Sequence, residues 1–200
     1  MKSGVKNVLC LTIITVIAGF ALGYVYDITK EPIRIMEQNT RNAAYQKVFE
    51  NASSFSEIDT DLSMLDEAIS AGGNEMVSCD GAVFALDASG NVLGYVVNVT
   101  SHEGYGGDIS VSVGISNEGE TLGIEILSIS ETAGLGMRAN TDEFKNQFKN
   151  KSVSMFSYTK TEPSADFEIE ALSGATITTN AVTNAVNGAL SVFGQIGGQQ

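Results

Sequence analysis

Asp108–Ser130 reads DISVSVGISNEGETLGIEILSIS. Val111, Val113 and Ile115 alternate with Ser110, Ser112 and Gly114, and Ile124 and Ile126 alternate with Gly123, Glu125 and Leu127. A period of two puts each set on one side of a strand. NEGE (117–120) between them is a turn signal, so 108–116 and 121–130 are expected to form a hairpin. The same pattern lies upstream, where AVFALDA (82–88) and VLGYVVNVT (92–100) flank SGN. Together these runs predict an antiparallel sheet with one face buried.

Outward from the sheet, the spacing turns helical. TDEFKNQFKN (141–150) offers Thr141 as a cap and Phe144/Phe148 at i, i+4, which predicts a short helix. From Thr178 to Phe193, Val182, Ala185, Val186, Ala189 and Val192 form one apolar face, and the tail GGQQ after it is expected to fray. Residues 61–71 read as a short helix and 51–60 as a loop. Strands in one run and helices segregated from them give the α+β class.

Val8–Tyr26, VLCLTIITVIAGFALGYVY, contains no charge. At about 1.5 Å per residue the run is close to the ~30 Å of a bilayer's hydrocarbon. Lys2 and Lys6 precede it and Asp27 ends it, so the positive-inside rule puts the N-terminus in the cytoplasm and the remainder outside. ALG at Ala21–Gly23 resembles a signal-peptide cleavage site, but the apolar run continues past it, which favours an uncleaved anchor. Ile28–Glu50 then reads as an amphipathic helix with Pro32 in its first turn; Ile33, Met36, Ala44 and Val48 recur at helical spacing, and Tyr45 and Phe49 widen the stripe. The expected organisation is an anchor (1–27), a juxtamembrane helix (28–50) and an extracytoplasmic domain (51–200).

Composition narrows the chemistry. With 11 Lys plus Arg against 24 Asp plus Glu, the net charge is -13, which argues against a nucleic-acid partner. Cys10 and Cys79 are separated by the span and lack metal-site spacing, and His102 is the single histidine, so no protein-only metal site is expected.

Three stretches remain as candidates for chemistry. EALSGATITTNAV (170–182) places Ser173, Gly174, Ala175, Thr176, Ile177, Thr178 and Thr179 at the front of the last helix. Thr178 or Thr179 can cap that helix, with Thr176 just before it; the free amides and the dipole there favour an anion such as phosphate. The plainer alternative is a capped helix behind a small-residue turn. SHEGYGGDI (101–109) offers His102, Tyr105 and Gly106; SETAGLGMR (130–138) offers Glu131, Thr132, Gly134, Leu135 and Gly136. These are either wide turns with glycines at positive φ or places where backbone approaches a ring system. Two such loops beside an anion-binding helix start suit a phosphate-bearing aromatic cofactor.

The ordered set GYGG…VGI, ETAGLG and SGAT behind a single N-terminal span resembles the FMN-binding domain family. Within it the chain is most similar to the G subunits of Rnf-type electron-transport complexes, and more distantly to the C subunits of sodium-pumping NADH:quinone reductases. The resemblance covers the anchor and residues 80–193. It implies FMN esterified through its phosphate to Thr176 by a flavin transferase. The glycines of the two loops then let them flank the ring, with Glu131 and Thr132 as partners for its heteroatoms and His102 either stacking on it or capping a turn. It also implies electron transfer between redox centres of a ferredoxin:NAD+ oxidoreductase complex coupled to Na+ or H+ movement, other membrane and peripheral subunits as partners, and no independent catalytic residue in this chain. Glu170 stands where the family carries Asp, and Ala133 where it often carries Pro. A stand-alone extracellular electron-transfer flavoprotein and a cofactor-free binding module are the other readings.

Overall fold

The computed structural model describes residues 2–197; of the tail, 198–200 lie outside the described residues. The described chain divides into two compact units, residues 1–40 and 41–200. The described residues of the first unit are helical, part of α1 (Lys2–Val48), which is long and apolar enough to cross a membrane. Pro32 lies inside this helix and not at the first turn of a new one. Proline removes one backbone hydrogen bond there, and the helix runs through the change from apolar to amphipathic sequence.

The second unit is built on a five-stranded antiparallel meander in the order β1 (Ser54–Glu57), β2 (Val77–Leu86), β3 (Val92–Ser101), β4 (Ile109–Ser116) and β5 (Thr121–Ser128). Both expected hairpins are present. In the first, the Asp87 carboxylate accepts the Ser89 and Asn91 amides; in the second, the Ser116 hydroxyl accepts the Glu118 and Glu120 amides. Segment 51–60 is not wholly loop, because Ser54–Glu57 pairs with β2 as an edge strand.

One face of the sheet carries Tyr95, Val97, Val99, Val111, Val113, Ile115, Ile124 and Ile126 into the main core. Two helices cover it: α4 (Thr176–Ile196), through Val182, Val186 and Ala189, and α2 (Leu62–Ala71), through Leu65 and Ile69. Asp61 caps α2 by accepting the Ser63 amide at 3.0 Å.

The opposite face is also covered, contrary to the one-sided expectation. Tyr45, Val48 and Phe49 at the end of α1 pack with Ala52 on Val83, Ala85 and Val96. Glycines permit the approach: a Cβ on Gly114 would sit 2.7 Å from the Val48 carbonyl oxygen. Next to this patch the face turns polar but stays satisfied. Buried Asn98 donates to the Tyr45 hydroxyl at 2.7 Å and accepts from Ser112 at 2.6 Å.

Segment 141–150 forms a single α-turn, α3 (Asp142–Lys145), and a 3-10 turn (Asn146–Phe148). The Thr141 hydroxyl donates back to the Arg138 carbonyl and caps nothing. Phe144, Phe148 and Phe156 stack edge to face beneath it. A two-stranded parallel pair, β6 (Ser157–Thr159) and β7 (Glu168–Glu170), then leads into α4.

Candidate functional site

The front of α4 is arranged differently from the capped helix that its hydroxyls suggest. The helix begins at Thr176, and the N-cap is Ala175, which has no side-chain oxygen to offer. Thr178 and Thr179 lie inside the first turns and do not cap. Thr179 is fully buried; its hydroxyl accepts the Leu172 amide at 3.0 Å and donates to the Ala175 carbonyl at 3.0 Å. That pair of bonds folds Leu172–Ala175 into a turn with Gly174 at φ +78°. The amides of Thr176, Ile177 and Thr178 precede the first intrahelical donor, so no helix carbonyl satisfies them.

Those residues form one wall of a cavity of about 630 Å³. Gly174, Ala175, Thr176, Ile177 and Thr178 contribute from α4 and its leading turn; Glu131, Thr132, Leu135 and Gly136 come from the loop after β5; Tyr105 comes from the loop after β3. The rim is apolar and open: Tyr105 is 73% exposed, Ile177 53% and Leu135 44%.

Glu131 is the point at which the segments meet. It is buried, and its Oε1 accepts the Gly106 amide at 3.2 Å. A Cβ on Gly136 would lie 2.6 Å from both Glu131 Oε2 and Thr178 Oγ1. Glycine at 136 is therefore what lets the second loop lie against the carboxylate and the start of α4 together.

Five of the expected residues sit away from the cavity wall. Thr179 is committed to the turn, as above. Ser173 is exposed in that turn, Gly134 supplies a backbone at φ +76°, and Gly106 acts through its amide. The His102 ring lies between Ser78 and Asp108, with Nε2 3.1 Å from Ser78 Oγ and Nδ1 3.0 Å from Asp108 Oδ1.

Three amide side chains that sequence reasoning did not single out hold the surroundings. Gln147 makes two hydrogen bonds to the Glu170 backbone, one to its N–H and one to its carbonyl. Buried Asn187 does the same to Phe156, and Asn184 donates to Glu103 at 2.6 Å, tying the first loop to α4. The signal was an Asn at 187 on an otherwise apolar helical face, since a buried amide needs a partner.

Among the described residues, the cavity walls contain a carboxylate but no cation. The whole of 48–137 lacks Lys and Arg. Negative charge placed here would rest on backbone amides, the helix dipole and the hydroxyls of Thr132, Thr178 and Tyr105, with no side-chain cation among the lining residues.

The sequence pattern of the FMN-binding domain matches residues 104–191, which takes in the first glycine loop from Gly104 onward, the second glycine loop and Thr176. The G subunit of a Na(+)-translocating ferredoxin:NAD(+) oxidoreductase complex from Acetobacterium woodii is 31% identical over 92% of this chain and 89% of its own. The G subunit of an ion-translocating oxidoreductase complex from Methanosarcina acetivorans is 31% identical over 94% of each chain. Among solved structures, the C subunit of the Na(+)-translocating NADH-quinone reductase from Parabacteroides distasonis superposes with a TM-score of 0.52 over 76% of this chain and 80% of its own, at 17% identity. NqrC of Shewanella oneidensis gives 0.51 over 59% of each, at 20% identity.

Proposed function

The chain belongs to the family of FMN-binding G subunits of ion-translocating oxidoreductase complexes, and on that premise we propose that FMN occupies the cavity at the front of α4 as a phosphoester on Thr176. The protein is a flavin electron-transfer subunit with a single N-terminal helix able to span the membrane, and other subunits of such a complex are its partners. Bound FMN supplies the redox chemistry. The polypeptide supplies position and electrostatics, and no side chain is needed as a nucleophile or general base.

The observation that carries this reading is the alanine cap. Ala175 leaves the first amides of α4 unclaimed, directly beside the Thr176 hydroxyl and on the cavity wall. A helix start of this kind receives phosphate well. The volume lies within the roughly 300–1,000 Å³ of small-molecule sites. The wall chemistry also favours a covalent link over free binding. A free phosphate ester carries nearly two negative charges and would meet Glu131 with no Lys or Arg among the lining residues. A diester carries one, and the tether sets a high local concentration, so modest contacts from Tyr105, Leu135 and Ile177 suffice to hold the ring.

Thr176→Val should leave a folded protein whose denatured band no longer fluoresces as flavin, with wild-type flavin mapping to the peptide that contains Thr176. Flavin found on Thr178 or Thr179, or retained by the variant, would sink the assignment. A flavin transferase is the maturation partner this chemistry requires. Lys2 and Lys6 ahead of the span favour a domain outside the cytoplasm. A membrane-impermeant thiol reagent should then label Cys79 in intact, wall-stripped cells under mild denaturation; labelling only after lysis would reverse the orientation. Relatives at full length are complex subunits, which favours this reading over a stand-alone flavoprotein.

A further inference from the structure

The loop 101–109 carries Tyr105, the one aromatic ring among the described residues of the cavity wall, on a tip that is otherwise open to solvent. Its base is fastened from several sides. The His102 amide donates to the Met76 carbonyl at 2.9 Å, which extends the pairing of the β2 and β3 ends beyond Val77. The two limbs of the loop touch, since a Cβ on Gly104 would lie 2.1 Å from the Gly107 carbonyl oxygen. Glu103 is held by Asn184 of α4, and the Gly106 amide by Glu131.

The remaining tie is the His102 ring. It joins Ser78 on β2 to Asp108 at the far end of the loop. An ionised carboxylate only accepts, so Nδ1 carries a proton and donates to Asp108, and Nε2 faces the Ser78 hydroxyl. One side chain thus closes the loop on itself and fixes it to the sheet.

We infer that His102 is a positioning residue for the cofactor: it does not touch the flavin, but clasps the loop so that Tyr105 is held against one side of the cavity. This rests on the reading that FMN occupies that cavity. Tyr105 is the specificity element of the pair, a flat phenol able to lie against an aromatic ring; His102 and Asp108 act through it. Without the clasp the loop keeps its ties through Glu103 and Gly106, so the fold survives while the aromatic tip loses its fixed place.

The test reads emission lifetime per bound flavin, which does not depend on how much flavin is loaded. A phenol in contact with the ring quenches it, so Tyr105→Leu should lengthen the lifetime. His102→Ala should give a comparable loss of quenching, and adding it to Tyr105→Leu should change nothing more, the non-additivity of residues acting as a unit. Asp108→Asn, which retains an acceptor for Nδ1–H, should keep most of the quenching. A wild-type lifetime in His102→Ala, or a further change in the double variant, would overturn the inference. A second arm needs no flavin. In the Thr176→Val protein, His102→Ala should speed amide hydrogen exchange across 103–107, and unchanged exchange there would equally overturn it. Absence of covalent flavin from the wild-type protein would instead strike at the Thr176 assignment, with the exchange arm still deciding the clasp.

Discussion

The hydroxyl of Thr179 accepts the amide of Leu172, seven residues earlier in the chain, at 3.0 Å. A threonine one turn inside α4 therefore shapes the segment that precedes the helix. Thr179→Val keeps the shape but orphans a buried amide, which costs about 1–3 kcal/mol. The expected outcome is a lowered thermal midpoint together with poorer flavin loading, although the proposed attachment point is Thr176 and not Thr179. Thr176→Val should lose loading with little change in the midpoint of the flavin-free chain. Thermal denaturation and intact mass on both variants check this. Full loading in Thr179→Val would mean the turn does not govern presentation of Thr176.

Ala175→Ser gives α4 an ordinary cap. A side-chain oxygen at this position stabilises a helix by about 0.5–2 kcal/mol. The flavin-free Ala175→Ser protein should accordingly melt higher than flavin-free wild type. The new hydroxyl would also compete for the amides next to Thr176, so loading should fall. Higher stability with unimpaired loading would show that those amides are not where the phosphate rests.

Glu131→Gln preserves an acceptor for the Gly106 amide and removes a negative charge from the cavity wall. Negative charge arriving on a ring beside Glu131 is opposed by that carboxylate. The midpoint potential of the flavin should rise in the variant, measured by redox titration, while attachment to Thr176 persists. A drop, or no shift, would confine Glu131 to holding the two loops together.

Cys79 offers a pH signature. Burial pushes its thiol from 9.0 up to about 11; the neighbouring carboxylates of Asp66 and Asp80 add to the rise, against a hydrogen bond from the Gly81 amide. The folded state thus holds this proton more tightly than the unfolded one. Its contribution is fully present below pH 9.0 and is lost as pH climbs towards about 11. Denaturant titrations should show wild type losing more stability than Cys79→Ala across that window. Parallel curves would indicate that the thiol titrates as freely as in the unfolded chain.

How far the sequence could be read depended on whether a signal was local. The alternation in 108–130 identified β4 and β5 because each residue's side of the sheet follows from its neighbours. The two glycine loops and Thr176 were equally legible, and the structure brings residues of all three to one cavity. The edge strand β1 was not legible: Ser-Phe-Ser-Glu has no distinguishing pattern, and only pairing with Val83–Leu86 makes it a strand. Strands β6 and β7 are three residues each. They are flanked by Gln147 and Asn187, whose partners are distant in sequence. The apolar stripe of Ala44, Tyr45, Val48 and Phe49 was visible, but its landing place on the second sheet face was not. Residue type pointed to Thr178 or Thr179 as caps, yet the position of the Leu172 turn decided that Ala175 holds that place.

The stretch without Lys or Arg has a kinetic consequence. From residue 48 to 137 the chain's fixed charges are all carboxylates, and this stretch supplies every lining residue of the cavity outside α4 and its leading turn; Arg138, which ends the second loop, is not among the lining residues. A field of one sign slows the approach of ions of that sign and weakens with added salt. Soluble anionic carriers, whether free flavin phosphates, nicotinamide nucleotides or acidic small proteins, are kept at a distance from the cavity. A redox partner fixed beside the domain needs no diffusional encounter and is untouched by that barrier. With flavin in that cavity the expected result is insulation: its electrons would be shielded from wandering anionic acceptors and left for a partner held in place.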